Sequence, residues 1–115
     1  MYCADVKKRA PPGLRIEHVR LPDIAGWPRN PKRHDLDRIR ASIREFGFVE
    51  VPALDMSTGK LVAGHGRIDA LIAMHAAGDP MPDRIRAASD GTWEVPILMG
   101  IAFKSEMQAE AYLLA

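Results

Sequence analysis

Between Leu61 and Leu71 the hydrophobic period of the chain changes within four residues, and this change constrains the fold more than any other stretch. The apolar run Leu61-Val62-Ala63 stops at Gly64, His65 stands between two glycines, and from Arg67 onward Ile68, Leu71 and Ile72 return at helical spacing. The pattern predicts a strand, a tight turn and a helix in immediate succession. Glycines at positions 64 and 66 leave the backbone without Cβ where the helix begins, so its unpaired N–H groups can come close to an anion. Arg67, in the first turn, adds a planar guanidinium suited to two hydrogen bonds with a phosphate. Gly64, His65, Gly66 and Arg67 are therefore the candidate phosphate-binding loop. Gly-x-Gly before a helix also serves as a plain turn, and a first-turn arginine as a solvated charge, so the loop alone decides nothing. Two other phosphate loops are excluded by residue. Asp69 stands where a dinucleotide fingerprint needs glycine or alanine, and Gly66-Arg67-Ile68 where a P-loop needs Gly-Lys-Ser/Thr.

The 115 residues make one small domain with room for a single core. Sixteen basic against fifteen acidic residues leave a net charge of +1, so any footprint for nucleic acid has to be local. The lone Cys3 excludes an internal disulfide and a thiolate zinc site, which fits a cytoplasmic protein. Lys7, Lys8 and Arg9 are followed by no apolar segment, and no apolar run reaches membrane-spanning length, so neither secretion nor a membrane partner is expected.

Residues 1–13 show no apolar periodicity and predict a flexible leader. Leu14, Ile16 and Val19 then alternate as a first strand, and the proline-rich stretch from Pro22 to His34 predicts a loop whose Lys32 and Arg33 are candidate supporting cations. A helix follows: Asp35 is its cap, Leu36, Ile39, Ile43 and Phe46 share one face, and Gly47 is its stop. The opposite face carries Arg38, Arg40, Arg44 and Glu45. Arg40 and Arg44, one turn apart, repel, so a partner anion would relieve them and both are candidate supporting cations.

Val49, Val51 and Ala53 to Met56 predict a strand, with Ser57 to Lys60 as its turn into Leu61-Val62-Ala63. The helix after the glycine loop should run to about Ala77, with Gly78 as its end and His75 packed or at its rim. His65 and Asp69 stand four apart on that helix, but with no third ligand no metal site is assigned. Residues 79–93 predict a polar excursion. Val95 to Met99 predict a short strand, with Pro96 favouring a sheet edge or the strand's start. Ser105-Glu106-Met107-Gln108 matches a capping box, and the helical pattern through Met107, Ala111, Tyr112 and Leu114 runs to the last residue, predicting a domain truncated at its C-terminal end.

In this order Asn30-Pro31, Leu36 and Ile39, Ala41-Ser42-Ile43-Arg44-Glu45-Phe46-Gly47-Phe48, Val51-Pro52-Ala53-Leu54 and Gly59 to Arg67 resemble the ParB/sulfiredoxin-like domain. The likeness is greatest to the branch called "ParB-like nuclease", the ParB N-terminal domain found in bacterial and phage proteins and in front of some DNA methyltransferases. The closing Ala109 to Ala115 resembles that branch too, whose sequences continue with Asp-Asn and a basic residue. The resemblance covers about residues 14–115. It implies an α+β domain with a small mixed sheet and about three helices. Its implied ligands are a nucleoside triphosphate (CTP or ATP) with Mg²⁺, or DNA. It further implies a homodimer, a downstream methyltransferase or DNA-binding domain, and a bacterial cytoplasm or phage-infected cell. In chromosome-partitioning ParB proteins the loop reads Gly-Glu-Arg-Arg. Gly64 and Arg67 match its first and fourth positions, while His65 and Gly66 replace the acidic residue and the first arginine, a departure that bears on Mg-assisted triphosphate chemistry. In sulfiredoxins the turn reads Gly-Cys-His-Arg; His65 stands in the place of the redox cysteine and Cys3 is remote, so peroxiredoxin repair is not implied.

Two readings of function follow. In one the domain binds phosphates at Gly64 to Arg67, with Lys32, Arg33, Arg40 and Arg44 alongside. In the other it is an enzyme, a metal-dependent DNA nuclease or a nucleotide-dependent phosphotransferase. His65 is then its acid/base, Arg67 stabilises charge and Asp69 or Glu45 activates a hydroxyl. The clustered carboxylates that metal-dependent cleavage uses are not legible in the sequence.

Overall fold

The computed structural model describes residues 13–27 and 35–114. Along the chain the elements are β1 (Arg15–Arg20), α1 (Leu21–Ala25), α2 (Leu36–Phe46), β2 (Ala53–Asp55), β3 (Lys60–Ala63), α3 (His65–Ala76), β4 (Arg86–Ala87), β5 (Trp93–Ile101) and α4 (Glu106–Leu114). They form an α+β domain with a mixed five-stranded sheet of order β1-β5-β2-β3, β4 lying on β5 as well. Four helices stand among the described residues, one more than expected. The leader to residue 12 and the cationic stretch 28–34, with Lys32 and Arg33, lie outside the described residues.

β5 organises the sheet. On one side β1 runs antiparallel along it, from Arg15 opposite Met99 to Arg20 opposite Glu94. Its other side is divided: β4 pairs antiparallel with Trp93 and Glu94, and β2 pairs parallel from Leu98 to Ile101. Pro96 falls in the break between these two partners. The Leu98 N–H donates to the Pro52 carbonyl at 2.8 Å, and amides two residues apart on a strand face the same way, so the missing Pro96 donor faces the gap. Proline is thereby accommodated in a central strand of nine residues, where an edge or a strand start is expected.

The two faces of β5 bury different layers. Trp93, Val95, Ile97 and Met99 pack in one core with Ile68, Leu71 and Met74 of α3, Leu21 and Ile24 of α1 and Ile43 of α2. On the opposite face Ala53 and Val62 form a smaller cluster with Ala109 of α4, flanked by Leu98, Ile101 and Phe103.

Local chemistry sets the element ends. The Asp35 side chain accepts from the Arg38 N–H at 3.2 Å to start α2, and Gly47, at φ +83°, closes it by donating to the Ile43 carbonyl at 2.8 Å. α1 lies where the prolines predict a loop. Pro22 sits in its first turn, where a missing N–H costs nothing, and Asp23 complements the helix dipole there. β4, only two residues long, interrupts the polar excursion. His75 is exposed and meets the Trp93 ring edge-on at 4.7 Å, a rim position. No helix among the described residues is long and apolar enough to cross a membrane.

The Ser105 hydroxyl accepts from the Gln108 N–H at 3.0 Å, while the Gln108 carbonyl oxygen reaches back to the Lys104 N–H at 2.7 Å, one residue before the position a capping box predicts. Ser105→Ala should cost about 1 kcal/mol, read as a lowered melting temperature. An unchanged transition would show that packing alone fixes α4.

The turn between β2 and β3 is built on Asp55. Its buried carboxylate accepts from the Ser57 and Thr58 N–H groups, from both their hydroxyls, and from the Phe103 N–H at 3.0 Å. The last bond fastens the segment before α4 to this turn.

Candidate functional site

β3 delivers the chain to Gly64, which adopts the left-handed conformation at φ +91° and precedes α3. Here glycine is required twice over. A side chain strains this backbone, and a Cβ would lie 2.6 Å from the Cβ of Pro52. Pro52 is buried and its carbonyl is held by Leu98, so it cannot move aside. Gly64 has no side chain to cap the helix, and its carbonyl accepts from the Ile68 N–H at 3.1 Å. As N-cap, Gly64 therefore offers no side chain of its own to the first-turn N–H groups of α3.

The four residues of the candidate loop differ in access. His65 is 5% exposed and Gly66 is buried, whereas Gly64 and Arg67 are half-buried. The surface offered to a ligand is thus the Gly64 backbone and the Arg67 guanidinium. Burial lowers the Arg67 pKa from its ordinary value, but a guanidinium stays charged. Arg67 forms an ion pair with Glu50, whose side chain is 66% exposed against 33% for the arginine.

Arg67 and Glu50 line a cleft of about 260 Å³. Arg38, Ile39, Ser42 and Ile43 of α2 form one wall, and Gly47, Phe48 and Val49 line the rest. Arg38 and Ser42, one turn apart, bring a cation and a hydroxyl to the same space as Arg67, although Arg38 also lies 3.5 Å from Asp35. A planar or apolar group would find Ile39, Phe48 and Val49 to lie on, and an anionic group the two arginines.

Arg40 and Arg44 are placed elsewhere. Both direct a guanidinium nitrogen to the same Asp79 oxygen, at 3.4 Å and 2.7 Å. The Arg44 hydrogen bond, opposed by burial and joined by that of Arg40, holds the Asp79 carboxyl below its usual range. Asp79 follows the C-terminal end of α3, a helix about 18 Å long, and Arg67 lies in its first turn. The anion that relieves the two arginines is therefore part of the chain, and they tie α2 to the far end of α3 from the glycine loop.

His65 and Asp69 lie one turn apart on α3, Asp69 half-buried. Among the described residues no group of three or more His, Cys, Asp or Glu side chains is placed to hold a metal ion. Glu50, Ser42 and Arg38 are the cleft residues with charged or hydroxyl side chains that the sequence-based site lacks. Ser42 and Arg38 were legible as an i, i+4 pair on α2, whereas no pattern pointed to Glu50. No protein-family model, curated protein or solved structure matches the chain.

Proposed function

We propose that this domain is a phosphate-binding module of the ParB/sulfiredoxin-like type, taking a phosphate of a nucleotide or of DNA at Gly64 to Arg67 and the rest of the ligand in the cleft beside α2. One observation carries the reading: α3 starts at a left-handed glycine, Gly64, and the Arg67 guanidinium of its first turn lines a cleft. An anion there meets backbone donors, the positive end of a helix and a fixed guanidinium together. A nucleoside triphosphate such as CTP or ATP with Mg²⁺ suits the cleft, because Arg67, Arg38 and Ser42 offer charge and hydrogen bonds while Ile39, Phe48 and Val49 offer an apolar surface. In a larger DNA-associated protein such a module would sit beside a methyltransferase or a DNA-binding domain.

The burial of His65 supports a binding module over an enzyme, since an acid/base group needs access to the reacting atoms. Arg67→Ala should weaken binding of nucleoside triphosphates or short duplex DNA about tenfold, the worth of one hydrogen bond to a charged group. Titration calorimetry with and without Mg²⁺ measures it. Affinities unchanged by the substitution would sink the proposal.

A further inference from the structure

β1 ends the sheet, and among the described residues no strand pairs with its outer side. We propose that this edge is where the chain meets a second copy of itself: β1 pairs antiparallel with β1 of the other copy, Ile16 opposite Ile16, and the two sheets join into one.

β1 lacks the backbone devices that blunt an edge. It runs six residues without a proline or a bulge, in unbroken register with β5. Its beginning is firmly seated, because Gly13 lies so close to Gly100 that a Cβ there would overlap the Gly13 carbonyl. Two apolar side chains at that end face water, Leu14 at 68% and Ile16 at 50% exposed. What remains against pairing is charge, on Arg15, Glu17, His18 and Arg20. Charges exclude every register except one in which they match.

Symmetry and pleat leave few registers to consider. A two-fold axis through the sheet keeps each strand's faces, and directly opposed residues point to the same face, so one residue must stand opposite its own counterpart. About Arg15, Glu17 or Arg20, two like charges stand directly opposite each other. About His18, Ile16 meets Arg20, and about Val19, His18 meets Arg20. About Ile16 the pairs agree. Arg15 then faces Glu17 of the second copy and Glu17 its Arg15, Leu14 lies opposite His18, and Ile16 meets Ile16. Arg15 and Glu17 already form an ion pair within one chain, on the face from which Val19 packs against the larger core. Across the axis these four side chains make a square of alternating charge, so each carboxylate has a guanidinium beside it and another opposite. The Ile16 pair covers apolar surface on the other face, next to Leu98.

One short strand from each copy makes a small interface of the transient class, so the association is weak and concentration decides it. Sedimentation equilibrium of the full chain, from about 10 µM to about 1 mM, reads it directly. A reductant keeps Cys3 from linking two copies. The mean mass should rise from one chain toward two across that range. Arg15→Glu and Glu17→Arg should each weaken the association about tenfold, because the symmetry counts every like-charged pair twice. The double exchange of Arg15→Glu with Glu17→Arg should restore it, since every opposed pair is unlike again. Both side chains are more than a third exposed, so the variants should fold and melt as the unmodified chain does. Ile16→Lys, which sets two ammonium groups at the axis, should leave single chains at every concentration. A chain that stays single throughout the range, single reversals without effect, or a double exchange that fails to restore the pair overturns the proposal.

Discussion

Asp55→Ala should be the most damaging single change outside the apolar core, with a loss of about 3 kcal/mol or more in urea denaturation. Its carboxylate is buried and accepts from Ser57, Thr58 and Phe103. Alanine leaves buried donors without acceptors, and each such donor costs about 1 to 3 kcal/mol. It also frees the segment before α4 from the β2–β3 turn, so the small core around Ala109 should loosen with it. Burial pushes this carboxyl upward, yet the hydrogen bonds from Thr58, Phe103 and Ser57 outweigh it and hold the pKa below the ordinary value. Asp79 is shifted in the same direction by Arg44 and Arg40. The folded values therefore lie below the unfolded aspartate value of about 3.9. Both contributions are fully present above that pH and are lost as the pH falls through the folded values. Asp55→Asn should flatten this acid limb, and its stability should approach that of the unmodified chain at the acid end. A loss that stays constant with pH would mean that shape, and not charge, is what Asp55 supplies.

Gly64→Ala should cost about 2 to 5 kcal/mol and remove anion binding from whatever protein still folds. The left-handed backbone at φ +91° charges an alanine about 1 to 2 kcal/mol. The 2.6 Å approach to Pro52 adds an overpacking term of about 1 to 3 kcal/mol. Gly78 provides the control: it is also left-handed, at φ +76°, but a Cβ there meets nothing within 4 Å. Gly78→Ala should show the backbone term alone. Equal losses at the two positions would mean that the contact with Pro52 yields easily and that the glycine loop is less rigid than its geometry indicates.

Where structure follows from neighbours in the chain, the sequence was readable. α2 announces both of its ends, through Asp35 and Gly47, and α3 begins at the glycine pair, where the apolar period changes and left-handed Gly64 separates strand from helix. α1 was hidden because a proline count cannot distinguish a proline that breaks a helix from one in the first turn, where it is harmless. The Asp55 turn carried a usable signal, an aspartate directly before Met-Ser-Thr-Gly, the composition of an Asx turn. The site was legible at Gly64 and Arg67 but not in its surroundings, because those are set by side chains from distant segments. Asp79 reaches Arg44 across 35 residues, and Glu50 reaches Arg67 across a turn and two strands. A run of arginines on a helix looks the same whether the balancing anion is a ligand or the chain's own aspartate.

Pro96 has a further effect on which strand alignments are possible at all. Shifted by one residue, it would present its donorless nitrogen to β1; shifted by two, to the Pro52 carbonyl or to β4. Every neighbouring alignment of the longest strand therefore forfeits a hydrogen bond worth about 0.5 to 1.5 kcal/mol, and a one-residue slide also turns Val95 and Ile97 out of the core. A residue usually regarded as a breaker of sheets acts here as a detent, so that the strand on which every other strand but β3 is hung can seat in one position only.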